Sequence, residues 1–267
     1  MTIKYRREID GLRALAVLSV ILFHAGFEVL AGGFVGVDIF FVISGYLIAT
    51  IIVTDLEDKK FSLLNFYERR ARRILPALFL VMLVSIPFAW LWLIPSDLKD
   101  FSKSLIAVPL FVSNILFWRE SGYFDAAAEF KPLLHTWSLA VEEQYYLVFP
   151  LLLIFLWRFK RGFVLFALIG IFVASLALSD WAVDAKPAAA FYSLFTRGWE
   201  LLVGVFVALF LLIRKDFEPS RKSAEFGSLV GLILIFYSIF TFNKLTPFPG
   251  LYALFPTIGA SLVILFA

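Results

Sequence analysis

The chain of 267 residues contains no cysteine and only two histidines. The absence of cysteine excludes disulfide bonds, a thiolate nucleophile and a thiolate-bound metal. Two histidines are too few for a histidine metal cage, so no metal site is expected. Charged residues are also scarce, at 17% of the chain, whereas 61% of the residues are hydrophobic. Soluble domains are about 45–50% apolar. The composition therefore indicates a protein whose solvent is the lipid bilayer, and it suggests no nucleic-acid partner.

Eight apolar runs approach the roughly 20 residues that a helix needs to cross a bilayer. They predict helices over residues 14–31, 34–54, 74–94, 139–157, 163–179, 191–213, 226–242 and 251–267. The sequence has neither strand-like alternation nor a 20–50-residue repeat. The predicted fold is all-α, a polytopic transmembrane helix bundle of about eight spanning helices. Because the last run stops at Ala267 without a polar flank, we expect 1–267 to be an incomplete transmembrane domain whose last helices are missing.

Lysine and arginine are distributed unevenly between these runs. Segments 1–13, 55–73, 158–162 and 214–225 carry 17 of the 24 basic residues, whereas 95–103, 119–138, 180–190 and 243–250 carry six. Basic segments tend to stay cytoplasmic, which predicts a cytoplasmic N-terminus. Counting crossings from there leaves no full crossing for the short run 104–118. A re-entrant or interfacial segment is predicted there; the alternative is that it crosses and a later assignment is wrong.

Ionisable residues inside apolar runs are costly unless they are paired or hydrated, so each is a candidate functional residue. His24 follows Arg13 by eleven residues, or three helical turns, so both side chains face the same way about 16 Å apart. Histidine is the usual general base, which makes His24 a candidate catalytic residue. Arg13 would lie at the cytoplasmic mouth. The alternative is that His24 is structural and bonds a backbone carbonyl.

Four arginines precede the third run. Arg70 and Arg73 share a helix face, and a pair of guanidinium groups suits phosphate through bidentate hydrogen bonds. Arg69 and Arg72 offer a second register with the same spacing. For some of the four arginines, the tendency of basic residues to stay on the cytoplasmic side is a sufficient explanation of their presence.

Acidic residues are predicted toward the outer side of the membrane. Asp38 could cap a helix, orient a neighbour or contact His24. Glu142 and Glu143 open the helix predicted from residue 139, and Glu28 is a possible interface residue. Because all four acidic residues are predicted near the outer side of the membrane, we expect them to form a polar vestibule there.

One further pair of charges lies deep in an apolar run. Arg197 and Glu200 are spaced i, i+3, and we predict that they form a structural ion pair.

Four stretches, 8–24, 33–47, 66–76 and 135–145, resemble the acyltransferase-3 family of bacterial membrane O-acyltransferases, and 195–204 fits more weakly. Arg13 and His24 match the family's Arg-x10-His, and Arg70 and Arg73 match its Arg-x-x-Arg. The opening resembles most closely the members that carry an extracytoplasmic SGNH-type domain after the membrane part. The resemblance therefore implies a possible SGNH-type domain in the full-length protein.

The resemblance implies an acyl-CoA-dependent O-acyltransferase of the cytoplasmic (inner) membrane of a bacterium. Acetyl-CoA would be the donor, and the acceptor would be an extracytoplasmic glycan such as lipopolysaccharide O-antigen, peptidoglycan or exopolysaccharide. Arg13, Arg70 and Arg73 would bind the phosphates of CoA. His24 would take the proton of the acceptor hydroxyl, or would relay the acyl group through a transient intermediate.

Asp38 or Glu142 would then orient His24 or bind sugar hydroxyls. The alternative function is a proton-coupled transporter or flippase for a glycan or anionic metabolite, in which the same polar residues line a pathway. The sequence lacks the inverted repeat that is frequent in transporters. A purely structural membrane protein would not need so many intramembrane charges.

Overall fold

The computed structural model describes residues 5–121 and 131–267, and every regular element in these ranges is helical. The α-helices are α1 Arg7–His24, α2 Gly36–Glu57, α3 Leu63–Trp92, α4 Pro95–Ala107, α5 Ser113–Arg119, α6 Thr136–Leu156, α7 Arg161–Ala185, α8 Pro187–Tyr192, α9 Leu194–Ile213, α10 Arg221–Thr241 and α11 Leu254–Phe266. The start of the predicted cytoplasmic segment 1–13 and the middle of the predicted outer segment 119–138 lie outside the described residues.

Six helical segments in the described ranges are long and apolar enough to cross a membrane: Gly33–Glu57, Leu63–Trp92, Thr136–Leu156, Arg161–Ala185, Pro187–Ile213 and Arg221–Thr241. The all-helical, multi-pass prediction is therefore confirmed. The other two predicted spans correspond to α1 and α11. Helix α1 carries four charged residues in its 18 positions, and α11 is only 13 residues long.

The chain divides into two compact units. The first comprises Met1–Asp58, Phe159–Phe191 and Phe195–Ala267, and the second comprises Lys59–Arg158 and Tyr192–Leu194. Helices α1, α2, α7, α9, α10 and α11 thus belong to the first unit, together with most of α8. Helices α3 to α6 belong to the second.

The first unit is organised around α2, which is buried along most of its length. Helices α1 and α11 pack against α2, and α10 packs against α11. Helix α9 approaches α2 at two glycines. A side chain at Gly45 would collide with the backbone carbonyl of Leu201, and one at Gly204 with that of Val42. Small residues that allow such a close approach are typical of helix packing in membranes.

The second unit is built on α3, a helix of 30 residues. The Ser62 hydroxyl accepts a hydrogen bond from the Asn65 amide at 3.4 Å and caps the helix. The helix therefore begins eleven residues before the predicted start at 74, and Pro76 lies inside it. As a result, the four arginines at 69–73 lie within the helix rather than ahead of it.

The run 104–118 contains no continuous helix. Helix α4 ends at Ala107, Phe111 has a positive φ of 54°, and α5 begins at Ser113. A non-glycine residue in this conformation marks a sharp turn of the chain. The two short helices agree with the prediction that this run does not cross the membrane as one helix. Helix α5 packs against α6.

Candidate functional site

Helix α1 ends at His24, and not at residue 31 as the apolar run predicts. Gly26 has a φ of 84°, its amide donates to the carbonyl of Phe23 at 3.1 Å, and the Phe27 amide donates to that of Leu22 at 3.2 Å. These two bonds with a left-handed glycine form a Schellman motif, which terminates a helix. His24 is therefore the last helical residue, held at a well-defined helix end.

The imidazole of His24 is exposed, and its Nδ1 lies 2.8 Å from the carbonyl oxygen of Val20. A carbonyl oxygen can only accept, so Nδ1 carries the proton and the lone pair of the neutral ring is on Nε2. Within 5–121 and 131–267, Nε2 has no hydrogen-bond partner. The carbonyl bond predicted for a structural histidine is thus present, but it leaves the second nitrogen available as a base.

Arg13 lies on α1 three turns before His24, as predicted. Its guanidinium is 3.3 Å from the carboxylate of Asp10, and both side chains are partly exposed. The buried stripe of α1, formed by Ile9, Leu12, Ala16 and Ser19, includes neither Arg13 nor His24. The two functional candidates therefore lie beside the packing face of the helix.

Asp38 lies in the first turn of α2 and is completely buried. Its carboxylate is 3.1 Å from the guanidinium of Arg197, which is also 3.2 Å from Glu200. The predicted pair of Arg197 and Glu200 is confirmed. It is part of a larger cluster in which one guanidinium lies between two carboxyl groups.

Aromatic rings enclose this cluster. The guanidinium carbon of Arg197 lies 5.4 Å from the ring centre of Phe41, 5.8 Å from that of Phe191 and 5.5 Å from that of Phe248. Cations are attracted to ring faces at these distances. We call Asp38, Arg197 and Glu200 with these rings the closed arginine cluster.

The closed arginine cluster does not include His24. Of the three roles considered for Asp38, a hydrogen bond or ion pair with His24 is not formed within the described ranges; the bonded neighbour of Asp38 is Arg197. Opposite charge could have indicated the pairing of Asp38 with Arg197, but their separation of 159 positions hides it in the sequence.

The second unit brings a different arginine beside carboxyl groups. The guanidinium of Arg70 lies 4.8 Å from the ring centre of Tyr146, whose hydroxyl donates to the carboxylate of Glu142. Arg70 is half-buried, and Glu143 follows Glu142 on α6. We call these four residues the open arginine cluster.

The open arginine cluster corrects the depths predicted for its members. Arg70 and Glu142 were expected at opposite sides of the membrane, yet they lie at a similar level. The hydroxyl of Tyr67 donates to the carbonyl of Leu147 at 3.0 Å, so the second turn of α3 lies beside the middle of α6. Tyr146 was missed, although its i, i+4 spacing from Glu142 places both on one helix face.

The two arginine pairs with this spacing, Arg70 with Arg73 and Arg69 with Arg72, differ in their partners. Arg72 forms an exposed ion pair with Glu68 at 2.7 Å. Arg73 is exposed and makes no ion pair with any residue in 5–121 or 131–267. Arg70 and Arg73 therefore leave a cation accessible to a ligand, whereas the charge of Arg72 is already paired.

The predicted site residues are divided between the units. Arg13, His24 and Asp38 belong to the first unit, and Arg70, Arg73 and Glu142 belong to the second. Their roles in catalysis and donor binding stay predictions. In the part of the chain that the structure describes, no group of three or more histidine or acidic side chains could hold a metal ion.

Known proteins with similar sequences point to the same family as these motifs. A family described as an acyltransferase domain matches residues 6–267. Peptidoglycan O-acetyltransferase OatA of Listeria monocytogenes is 38% identical over 240 residues, which are 87% of this chain and 38% of that protein. A Staphylococcus aureus protein provisionally named O-acetyltransferase SAS0844 is 36% identical over 252 residues, 88% of this chain and 41% of that protein.

A third relative is from Komagataeibacter xylinus and is provisionally named membrane-bound transacylase BcsY. It is 37% identical over 239 residues, 88% of this chain and 59% of that protein. The chain thus spans between about two fifths and three fifths of the length of these relatives. No solved structure matches it. With the family match over nearly its whole length and the helical membrane fold, the chain belongs to the acyltransferase-3 family of membrane acyltransferases.

Proposed function

We propose that this chain is the membrane part of an O-acyltransferase that moves an acetyl group from cytoplasmic acetyl-CoA to a hydroxyl of a surface carbohydrate. The names of the relatives, one of which specifies peptidoglycan, support acetyl transfer to oxygen. The observation that carries the proposal is the bond from His24 Nδ1 to the Val20 carbonyl, because it directs the lone pair of Nε2 away from the helix.

His24 acts as the general base. Nε2 takes the proton of the acceptor hydroxyl while the hydroxyl oxygen attacks the thioester carbonyl carbon. The new C–O bond forms, the C–S bond breaks, and the CoA thiolate leaves and takes up a proton. Throughout, the Val20 carbonyl holds Nδ1 and keeps the ring oriented, including when the ring is an imidazolium.

The arginines bind the donor. Arg73 is exposed and without an ion-pair partner in the described ranges, and Arg70 stands one turn before it on α3. Two guanidinium groups on one helix face can hold the phosphates of CoA with charge-assisted hydrogen bonds. Arg13 is the third proposed phosphate ligand, and its pairing with Asp10 is weak enough at 3.3 Å and partial exposure to exchange for a phosphate.

The orientation supports this direction of transfer. The basic segment 1–13 includes the start of α1, and 55–73 runs from the end of α2 into the first turns of α3; the positive-inside rule favours a cytoplasmic position for both, where acyl-CoA is available. The N-terminus is thus proposed to be cytoplasmic, in the inner membrane of a bacterium. We also propose an SGNH-type domain in the full-length protein as a partner in acetyl transfer outside the membrane.

The function is tested with full-length protein in liposomes that contain acetyl-CoA inside and a peptidoglycan acceptor outside. His24→Ala should lower acetyl transfer about 10²–10⁴-fold, the usual contribution of a general base. Its unfolding should not change, because the side chain is exposed. Ile21→Ala, which truncates another exposed side chain of α1, is the matched control. Transfer by His24→Ala at the rate of the control would overturn the mechanism.

A further inference from the structure

The closed arginine cluster contains one cation and two acids. Asp38 and Glu200 are both 0% exposed, and Arg197 is 1% exposed. Neither carboxyl group forms an ion pair with any other lysine, arginine or histidine in 5–121 or 131–267. If both acids were ionised, the cluster would carry one uncompensated negative charge away from water. An isolated buried charge is so costly that the group usually changes its protonation state instead.

The two carboxyl groups share one nitrogen of the guanidinium. Arg197 Nη2 donates a hydrogen bond to Asp38 Oδ1 at 3.1 Å and lies 3.2 Å from Glu200 Oε2. An arginine that binds a single carboxylate frequently uses two parallel hydrogen bonds from two nitrogens, whereas here one nitrogen contacts two different groups. Asp38 and Glu200 are therefore neighbours, and their side chains lie within hydrogen-bonding reach of each other.

Three oxygens of this acidic pair lack a donor. Asp38 Oδ2 and both side-chain oxygens of Glu200 are buried and accept no hydrogen bond from any donor in the part of the chain that the structure describes. An ionised carboxylate only accepts hydrogen bonds, so two ionised groups cannot satisfy each other. A protonated carboxyl group has an O–H that donates. One added proton would therefore cancel the excess charge and also give a buried acceptor oxygen its partner.

The surroundings of the two acids indicate which of them holds the proton. Asp38 lies in the first turn of α2, where the helix dipole favours a negative charge, and it accepts a hydrogen bond from Arg197. Glu200 lies in the second turn of α9, and its contact with Arg197 is at ion-pair distance without the alignment of a hydrogen bond. The ionised form is therefore better stabilised at Asp38 than at Glu200.

We propose that Glu200 is a neutral carboxylic acid that donates its proton in a hydrogen bond to Asp38, and that Asp38 is the counterion of Arg197. The proton is taken up from water as α2 packs against α9, and three phenylalanine rings then enclose it with the cluster. The closed arginine cluster is thus electrically neutral, although it contains three ionisable side chains. This inference concerns the contact between α2 and α9 and does not depend on the proposed function.

Infrared spectroscopy of the full-length protein in nanodiscs at neutral pH detects this proton, because the C=O stretch of a neutral carboxylic acid lies above the carboxylate and amide bands. Glu200→Gln should remove one such band from the spectrum of the parent. Asp38→Asn should remove it as well, because Glu200 then becomes the counterion of Arg197 and is ionised. Glu225→Gln, at an exposed position in α10, is the matched control and should keep the band. Retention of the band in either cluster variant would overturn the proposal.

Unfolding of the same proteins in detergent tests the charge balance independently. Glu200→Gln should unfold at the same denaturant concentration as the parent, because its amide still donates to Asp38 and the pair of Asp38 with Arg197 stays neutral. The double variant Asp38→Asn/Glu200→Gln should unfold at a clearly lower concentration, because the guanidinium is then buried without a counterion. If both acids were ionised, Glu200→Gln would remove an excess charge and raise the midpoint. A raised midpoint for Glu200→Gln, or a double variant as stable as the parent, would overturn the proposal.

Discussion

Arg197 and Arg70 each lie in an apolar helix beside two carboxyl groups and an aromatic ring, but the two units surround them differently. Arg197 is 1% exposed, is in ion-pair contact with both Asp38 and Glu200, and is enclosed by three phenylalanine rings. Arg70 is half-buried, lies over the rings of Tyr146 and Phe66 and has a second arginine, Arg73, one turn further along the helix.

This difference indicates what distinguishes a structural charge from a ligand-binding charge in a membrane helix. In the closed cluster the one guanidinium is buried between two buried carboxyl groups, so no cation there is accessible to a ligand. The closed cluster joins α2 to α9, which approach closely at Gly45 and Gly204. The open cluster is only partly buried, and the exposed Arg73 adds a second guanidinium beside it, one turn further along α3. A phosphorylated ligand could bind there without displacing a buried ion pair.

The largest effect is expected on the closed cluster. Arg197→Met would leave two buried carboxyl groups without their cation and should lower the free energy of unfolding by about 3–5 kcal/mol. Unfolding of the purified protein in detergent measures this loss. Arg214→Met, at an exposed position just after α9, is the control. Equal unfolding midpoints for the two variants would break the comparison, because Arg197 would then not be structural.

A smaller effect, on binding rather than stability, is expected at Arg73, beside the open cluster. Arg73→Gln should raise the dissociation constant of acetyl-CoA about 10–100-fold, since a hydrogen bond to a charged group contributes about 1.5–3 kcal/mol. Its unfolding should match that of the parent. Arg72→Gln, whose arginine pairs with Glu68, is the control. If Arg72→Gln loses affinity and Arg73→Gln does not, the donor uses the other arginine register.

The smallest effect is expected at Tyr146, the tyrosine whose ring lies under Arg70. Tyr146→Phe keeps the ring but removes the hydrogen bond to Glu142, which frees that carboxyl group to compete with phosphate for Arg70. A loss of about 1 kcal/mol, or roughly fivefold weaker acetyl-CoA binding, is expected. Tyr67→Phe removes a hydroxyl that bonds the Leu147 carbonyl between the same two helices. Equal donor affinity in both variants would show that Tyr146 only packs.

Much of the fold could be read from the sequence, because a bilayer constrains it strongly. Backbone polar groups in lipid must be satisfied within the protein, so long apolar runs form helices. Helix ends were less predictable. Helix α1 stops at His24 because Gly26 adopts a left-handed conformation, and α3 starts at Leu63 because Ser62 caps it ahead of a charged first half. Hydrophobicity reports neither feature.

For the candidate site, the sequence by itself determined which residues could carry chemistry. Spacing along one helix relates Arg13 to His24 and Arg70 to Arg73, since helical geometry is local. Only the tertiary structure decided the pairs made between helices: Asp38 with Arg197, and Arg70 with Tyr146 beside Glu142. Such contacts depend on which helices pack together and at what level. That arrangement follows from side-chain fit along whole helices, so the position of a charge in its own apolar run does not reveal it.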